Sequence, residues 1–394
     1  MKLTPIGEKL WLVIKREFRL LVTEDRLAAL LFGGIPLIYV LLFGILYWED
    51  TVNHIPIVIY DQDQTAVSRS LIQAFDDSRR FQVVAYASTQ EEFEQYMREK
   101  KAQAGLAIPD DFSRRIKRGI ISPVLFEANA ANILFSNSAI AAAQEIVANV
   151  AAGIGQKLVE AGGPPPDDSL EKAVPFHIRL RVISNPTFSY TNFILAGLGA
   201  NGLQIGIILV VGPLINKEYQ RLRTRPETAG PLLLLGKILV YWLYGMVIFL
   251  AYTLISIKWF YLPYNGGIGQ LLLIGSAYVF ALATLGCLIG AIAPNPIMAA
   301  VIPLLYIMPA LLFSGYIWPR MAMNTFSLIF SRLAPIAYIA DNVRDLLLTG
   351  YAPHLFPDAL VLYAAGVVLL IISLATFACR RSRILAVQGG QHEG

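Results

Sequence analysis

Six apolar stretches, none containing Asp, Glu, Lys, Arg or His, constrain this chain more than any other feature. They run over 27–47, 193–215, 238–257, 271–293, 297–317 and 360–379. Each is long enough to cross a bilayer, which takes roughly 20 apolar residues in a helix. The charge content agrees: a soluble domain carries about 25% charged residues, and this chain carries 15%. The first stretch begins after 26 residues and no small-residue cleavage site follows it, so a membrane span is expected there and not a signal peptide.

Lys and Arg orient the spans, because basic residues in short connections stay on the cytoplasmic side. The segments 1–26, 216–237 and 380–394 together hold 14 of them. The links on the opposite side hold only Lys258, Arg320, Arg332 and Arg344. Both termini are therefore expected in the cytoplasm. Residues 48–192, between spans 1 and 2, are too many for a loop and enough for a domain. With 14 basic and 18 acidic residues they are net acidic and are expected outside. A long domain translocates largely regardless of its charge.

Within that block strand-like and helix-like segments alternate. IPIVIY (55–60), FQVVAY (81–86), 104–108 and 122–127 read as strands. Helices are expected at 66–75, from Thr89 with Glu92 as a capping box, at 110–118 and at 133–160. The GGPPPDD stretch at 162–168 breaks the last, and 177–184 alternates like an edge strand. The fold class expected is thus a membrane all-α bundle of six transmembrane helices with an inserted extracytoplasmic α/β domain.

Catalytic chemistry finds little support. Cys287 and Cys379 both lie in apolar runs, and His54, His177, His354 and His392 have no second ligand at helical spacing. Asp61 and Asp63 follow a strand, where acids are more often turn formers than a catalytic pair. Gly236-Lys237 lacks the preceding glycine of a P-loop, and QGGQ at 388–391 sits in the tail. No catalytic residue, metal or cofactor is expected in this chain. Ion-coupled transporters keep ionisable groups at membrane depth; these spans have none, so the energy for any transport would come from elsewhere.

Four regions remain as candidates. The N-terminal segment is amphipathic, with Trp11, Ile14 and Phe18 on one face and Arg19 among the cations on the other. It suits a membrane interface against anionic lipids, and its apolar face is too strong for a nucleic-acid patch. The link 216–237 carries Glu218, Arg221, Arg223, Pro226 and Glu227, a short helix able to dock a cytoplasmic partner or else plain positive-inside topology. Asn201, Gln204 and Tyr306 would line a path through the bundle or glue its helices. On the outer side, Ser314, Gly315, Tyr316 and Pro319 lead into two short apolar segments within 318–359, divided by Pro335 and bearing Asp341 and Arg344. They are expected as re-entrant helices, a gate or a lid.

In order and in motif the chain resembles an ABC-2 type transporter permease of the bacterial export kind. The resemblance rests on IPIVIYDQD (55–63), FQVVAY (81–86), Asn185-Pro186, Asn192-Phe193, Phe313-Ser314-Gly315 with Pro319, LAPIAY (333–338) and 341–350. It departs from the family after span 2, where Glu218, Pro226, Gly236 and Lys237 match but a Gly-Thr pair is missing and the loop is shorter. The resemblance implies export of an amphipathic or hydrophobic cargo (drug, lipid or glycan) from the bacterial cytoplasmic membrane. It implies separate ABC ATPase subunits that bind ATP and Mg, a second permease subunit and a periplasmic adaptor. A non-transporting receptor or scaffold is the alternative.

Overall fold

The computed structural model describes residues 5–49, 52–118, 120, 122–131, 133–162, 185, 189–224 and 231–390. The chain divides into two compact units, Met1–Trp48 with Val182–Gly394 and, between them in sequence, Glu49–Arg181.

The helical unit opens with α1 (Pro5–Arg19). A π-helical turn, Leu20–Glu24, follows and ends where the Asp25 N–H donates to the Leu20 carbonyl at 2.9 Å. It redirects the chain into α2 (Arg26–Leu46).

The second unit runs β1 (Ile55–Asp61), α3 (Ala66–Asp76), β2 (Phe81–Tyr86), α4 (Gln90–Arg98), β3 (Ala104–Ile108), α5 (Phe112–Lys117), β4 (Leu125–Ala128) and α6 (Ile133–Gly162). The sheet order is β2-β1-β3-β4, with β1 parallel to both its neighbours and β4 antiparallel to β3. Strand side chains alternate between faces, so Ile55, Ile57, Ile59, Leu106 and Ile108 bury one side against Leu71, Phe75, Ala139 and Ala143. Val58 and Phe93 form a smaller core on the other side.

Two local expectations shift. β4 starts at Leu125 and not at 122, because Pro123 has no N–H for a ladder. At α4, Thr89 accepts from the Glu92 N–H at 3.2 Å, but the Glu92 carboxylate takes the Ser88 N–H, one residue earlier than a capping box requires. A full box forms instead at α3, between Thr65 and Ser68. The segments 163–168 and 177–184 lie outside the described residues.

The helical unit resumes with α7 (Tyr190–Thr224), α8 (Pro231–Trp259), α9 (Ile268–Ile292), α10 (Pro296–Val301), α11 (Leu304–Leu312), α12 (Thr325–Leu333), α13 (Ile336–Thr349) and α14 (Leu355–Gly390). Among the described residues five helices are long and apolar enough to cross a membrane: α2, α7, α8, α9 and α14. The expected fifth span, 297–317, is not one helix. It breaks between Val301 and Leu304 and ends at Leu312. Pro303 and Pro309 have no N–H to donate and crowd the preceding turn. The short helix expected in the link 216–237 is the continuation of α7, which carries Glu218, Arg221 and Arg223 on its last turns. Pro226 and Glu227 lie outside the described residues. α7 is the most enclosed span, whereas α2 and α14 leave most of their surface uncovered.

Candidate functional site

Three helices meet at one end of the helical unit around a buried ammonium. Lys237, in the second turn of α8, is 3% exposed and pairs with Glu17 of α1 and Glu218 of α7, themselves 3% and 2% exposed. Its Nζ donates to Glu17 Oε2 and lies 3.3 Å from Glu218 Oε2. Around this centre, Arg16 reaches Glu218 Oε1 at 3.8 Å and Arg221 reaches Glu218 Oε2 at 3.6 Å. Asp25, at the end of the π-helical turn, takes Lys217 at 3.3 Å and Arg221 at 3.9 Å. Glu17 Oε1 has no hydrogen-bond partner and stands beside a cavity of about 10 Å3, roughly the room one water needs.

Local sequence explains how the charges come together. Val13, Ile14, Glu17 and Leu21 recur at helical spacing, so the stripe that packs inward carries one acid. α1 can approach because residue 236 is glycine: a Cβ there would stand 2.4 Å from Val13 Cγ1. Burying charges is costly unless they are paired, so these helices keep their mutual register or lose the cluster. Lys237 stood out in the sequence as an incomplete P-loop and as a match to the family's Gly-Lys, without a partner, and Glu17 did not stand out. The available signal was an acid on an otherwise apolar face.

The other predicted residues of this end divide. Ile14 packs inward, while Trp11 (59% exposed), Phe18 and Arg19 face out. The apolar surface of α1 is therefore two surfaces, one for the bundle and one uncovered. Next to it, Asn216 donates to the carbonyls of Gly290 and Ala293, and Arg380 donates to those of Ala291 and Ala293. These cap the otherwise unpaired C-terminal carbonyls of α9. The Arg380 guanidinium also lies 4.2 Å from the centre of the Tyr219 ring.

In the middle of the bundle, Asn201 and Gln204 are buried on α7. Tyr278 donates to the Ala200 carbonyl at 3.0 Å and lies 3.4 Å from Gln204 Oε1. Asn201 Oδ1 and Gln204 Nε2 have no hydrogen-bond partner. Tyr306, on α11, donates instead to the Leu333 carbonyl at the end of α12.

At the opposite end, Tyr316 is buried against the first turns of α7. Its hydroxyl donates to the Phe193 carbonyl and accepts from the Gly197 N–H at 3.0 Å. Those two groups belong to one rung of the α7 ladder, so the phenol is inserted into the helix. A Cβ at position 197 would meet the Tyr316 ring at 2.4 Å. Phe193 stacks on Tyr316 at 5.6 Å, and Arg344 of α13 lies 4.9 Å from the Tyr316 ring centre. Asp341 holds Arg344 at 2.9 Å, and Asp345 lies 3.8 Å from it. Half-burial raises the Asp345 carboxyl above its ordinary range, against the opposing pull of Arg344.

The neighbouring turn is built from expected residues too. Gly315 takes a left-handed conformation (φ +94°). Ser314 offers its carbonyl to Arg320, which also donates to Ala337 and so ties the turn to α13. Pro319 precedes a short turn at Arg320–Ala322, and Pro335 separates α12 from α13. The structure thus brings Arg344 over Tyr316, a meeting the sequence had not indicated.

In the second unit, Asp61 accepts from the N–H groups of Asp63 and Gln64 and from the Ser68 hydroxyl. Asp63 accepts from Thr65 and Ser113. Both carboxylates are spent on turns and caps. Among the described residues no group of His, Cys, Asp and Glu is arranged to hold a metal.

Residues 29–375 match the family model described as ABC-2 family transporter protein. The chain is 27% identical over 350 residues to the probable multidrug ABC transporter permease YbhR of Escherichia coli strain K12, covering 86% of this chain and 90% of that protein. It is 25% identical over 196 residues to the probable multidrug ABC transporter permease YbhS of the same strain, covering 48% of this chain and 52% of that one.

Proposed function

The chain belongs to the ABC-2 family of transporter proteins and is a multi-pass membrane permease, and from that premise we propose that it is the permease subunit of an ATP-binding-cassette exporter. It carries an amphipathic or hydrophobic substrate out of the cytoplasm or inner leaflet of a bacterial cytoplasmic membrane. Both termini lie in the cytoplasm and 48–192 outside. The names of the two relatives favour drug-like cargo over the lipids and glycans that the family also suggests.

The observation that carries this reading is the buried ion cluster of Glu17, Glu218 and Lys237. It joins the interfacial helix to the ends of α7 and α8 at the basic, cytoplasmic side. ATPase subunits supply the energy, since the apolar stretches hold no ionisable group to couple an ion gradient. They bind ATP and Mg and dock on the surface from Arg221 to Glu227; Glu218 itself is buried and anchors α7. Force applied to that surface moves α1, α7 and α8 together, because separating them would strand buried charges. A second permease subunit completes the path, with Asn201, Gln204 and Tyr306 along it. Tyr316 and Arg344 close the outer end, where a periplasmic adaptor meets the exit. The chain itself performs no hydrolysis.

Purification from native membranes in mild detergent, with identification of co-purifying chains, tests the proposal. Wild type should recover an ABC ATPase, and Arg223→Glu should lose it while keeping the thermal stability of wild type. Vesicles containing the pair should move cargo outward only with ATP. A preparation with no ATPase, and no ATP-dependent transport, would instead favour the receptor or scaffold.

A further inference from the structure

A cavity opens on the α4 face of the sheet in the second unit. From β1 the chain passes through α3 to β2 on one side, then through α4 past β1 to β3 on the other. Right-handed crossovers of this kind put the two helices on opposite faces. After β3 the chain returns to the α3 face, where Phe112 and Ile116 of α5 join the core of Leu71 and Phe75, and α4 packs on the other face through Phe93. Beside α4 on that face lies a cavity of about 400 Å3, lined from β1 by Tyr60 and Gln62 and from β3 by Ala107 to Pro109. α4 supplies Phe93 and Glu94 on one wall, and β4 supplies Leu125 and Glu127 on the other.

The lining has a definite chemistry. Its body is aromatic and apolar, with the Tyr60 and Phe93 rings 6.2 Å apart. Its lining includes two carboxylates and no Lys, Arg or His. Glu94 is partly engaged by Gln90 and Arg98, at 3.1 and 3.4 Å. Glu127 makes no ion pair among the described residues. The register places Glu127 opposite Gly105 and Leu125 opposite Ala107, so both point to the cavity face; the Phe93 ring covers Gly105, where a Cβ would stand 2.4 Å from it, and Ala107 lines the floor.

We propose that this crevice binds an organic monocation with an aromatic or bulky apolar body, its charge against Glu127 and its rings against Tyr60 and Phe93. Rings attract a cation through their negative faces, and the volume falls within the range usual for small-molecule sites. An anion of equal shape meets the same walls but is repelled by both carboxylates. The proposal deepens the exporter reading by giving its cargo class, but binding is measurable whether or not the chain transports.

Tetraphenylphosphonium and tetraphenylborate, alike in shape and opposite in charge, are the probes. Equilibrium dialysis with the full chain in neutral detergent, corrected for empty micelles, should show one saturable phosphonium site per chain and no borate site. Glu127→Gln should weaken phosphonium binding at least fivefold, and Glu127→Asp should restore most of it. Leu125→Lys, at a position already 54% exposed, should abolish it by placing an ammonium in the crevice. Equal binding of the two probes, or phosphonium binding unchanged by both Glu127→Gln and Leu125→Lys, overturns the proposal. If the site is confirmed but no ATP-driven transport occurs, only the exporter reading fails. If transport persists while the site is absent, only the crevice proposal fails.

Discussion

The two ends of the helical unit are held together by different chemistry. At one end, full charges are buried and neutralise one another: Lys237 between Glu17 and Glu218, from three helices. At the other, a neutral phenol reaches backbone groups of α7, and the charged partner, Arg344, sits partly exposed over aromatic rings. A buried ion pair tolerates little displacement, because each charge is left unsolvated when its partner moves. A hydroxyl inserted in a helical rung can withdraw and leave the helix to close its own hydrogen bond. The first end suits transmission of a push, and the second suits opening and closing.

Substitutions sharpen the contrast, and the largest effect belongs to the ion cluster. Lys237→Met strands Glu17 and Glu218 and should cost about 3–5 kcal/mol, the range for breaking one partner of a buried pair. The measurement is a loss of thermal stability in micelles. Adding Glu17→Gln and Glu218→Gln should recover most of it, whereas no recovery would mean that Lys237 acts by packing. Tyr316→Phe should cost less, about 1 kcal/mol, since α7 can remake its own rung once the phenol is gone. Hydrogen exchange at Gly197 should then slow, not quicken; faster exchange would show that the phenol holds the helix and does not merely interrupt it.

The smallest effect is that of pH at Asp345. Its folded pKa is raised, so the fold prefers the neutral carboxyl and the local contribution to stability is fullest below the unfolded pKa. It declines as pH rises through the folded value. Hydrogen exchange in α13 should therefore quicken with pH across the acidic range, beyond its chemical dependence, and Asp345→Asn should remove that excess. An identical profile in the variant would break the assignment.

Much of this was legible in the chain. Long uncharged apolar stretches predict membrane helices because a polar group has no solvent in lipid, and alternation predicts the strands at 55–60, 81–86 and 104–108. The motifs at 313–319 and 333–350 picked out, through their prolines, glycines and helical spacing, the segments that meet around Tyr316. Pro303 was in view inside the expected fifth span, yet hydropathy counts proline's carbons and ignores its missing N–H, so one helix was expected where two stand. Local pattern also indicated that α1 was amphipathic, without revealing that its inward stripe carried an acid to be neutralised.

Only the tertiary structure decided those pairings. Glu17 and Lys237 are 220 residues apart, and Tyr316 lies 123 residues from the carbonyl it meets. The crevice in the sheet likewise exists only once β3 and β4 lie side by side with α4 packed beside it on the same face. Helices and strands are set by periodicities of two to four residues, which a sequence displays along its length. A buried charge, an inserted phenol and a crevice depend on which surfaces come to share a low-dielectric space, and that is a property of packing.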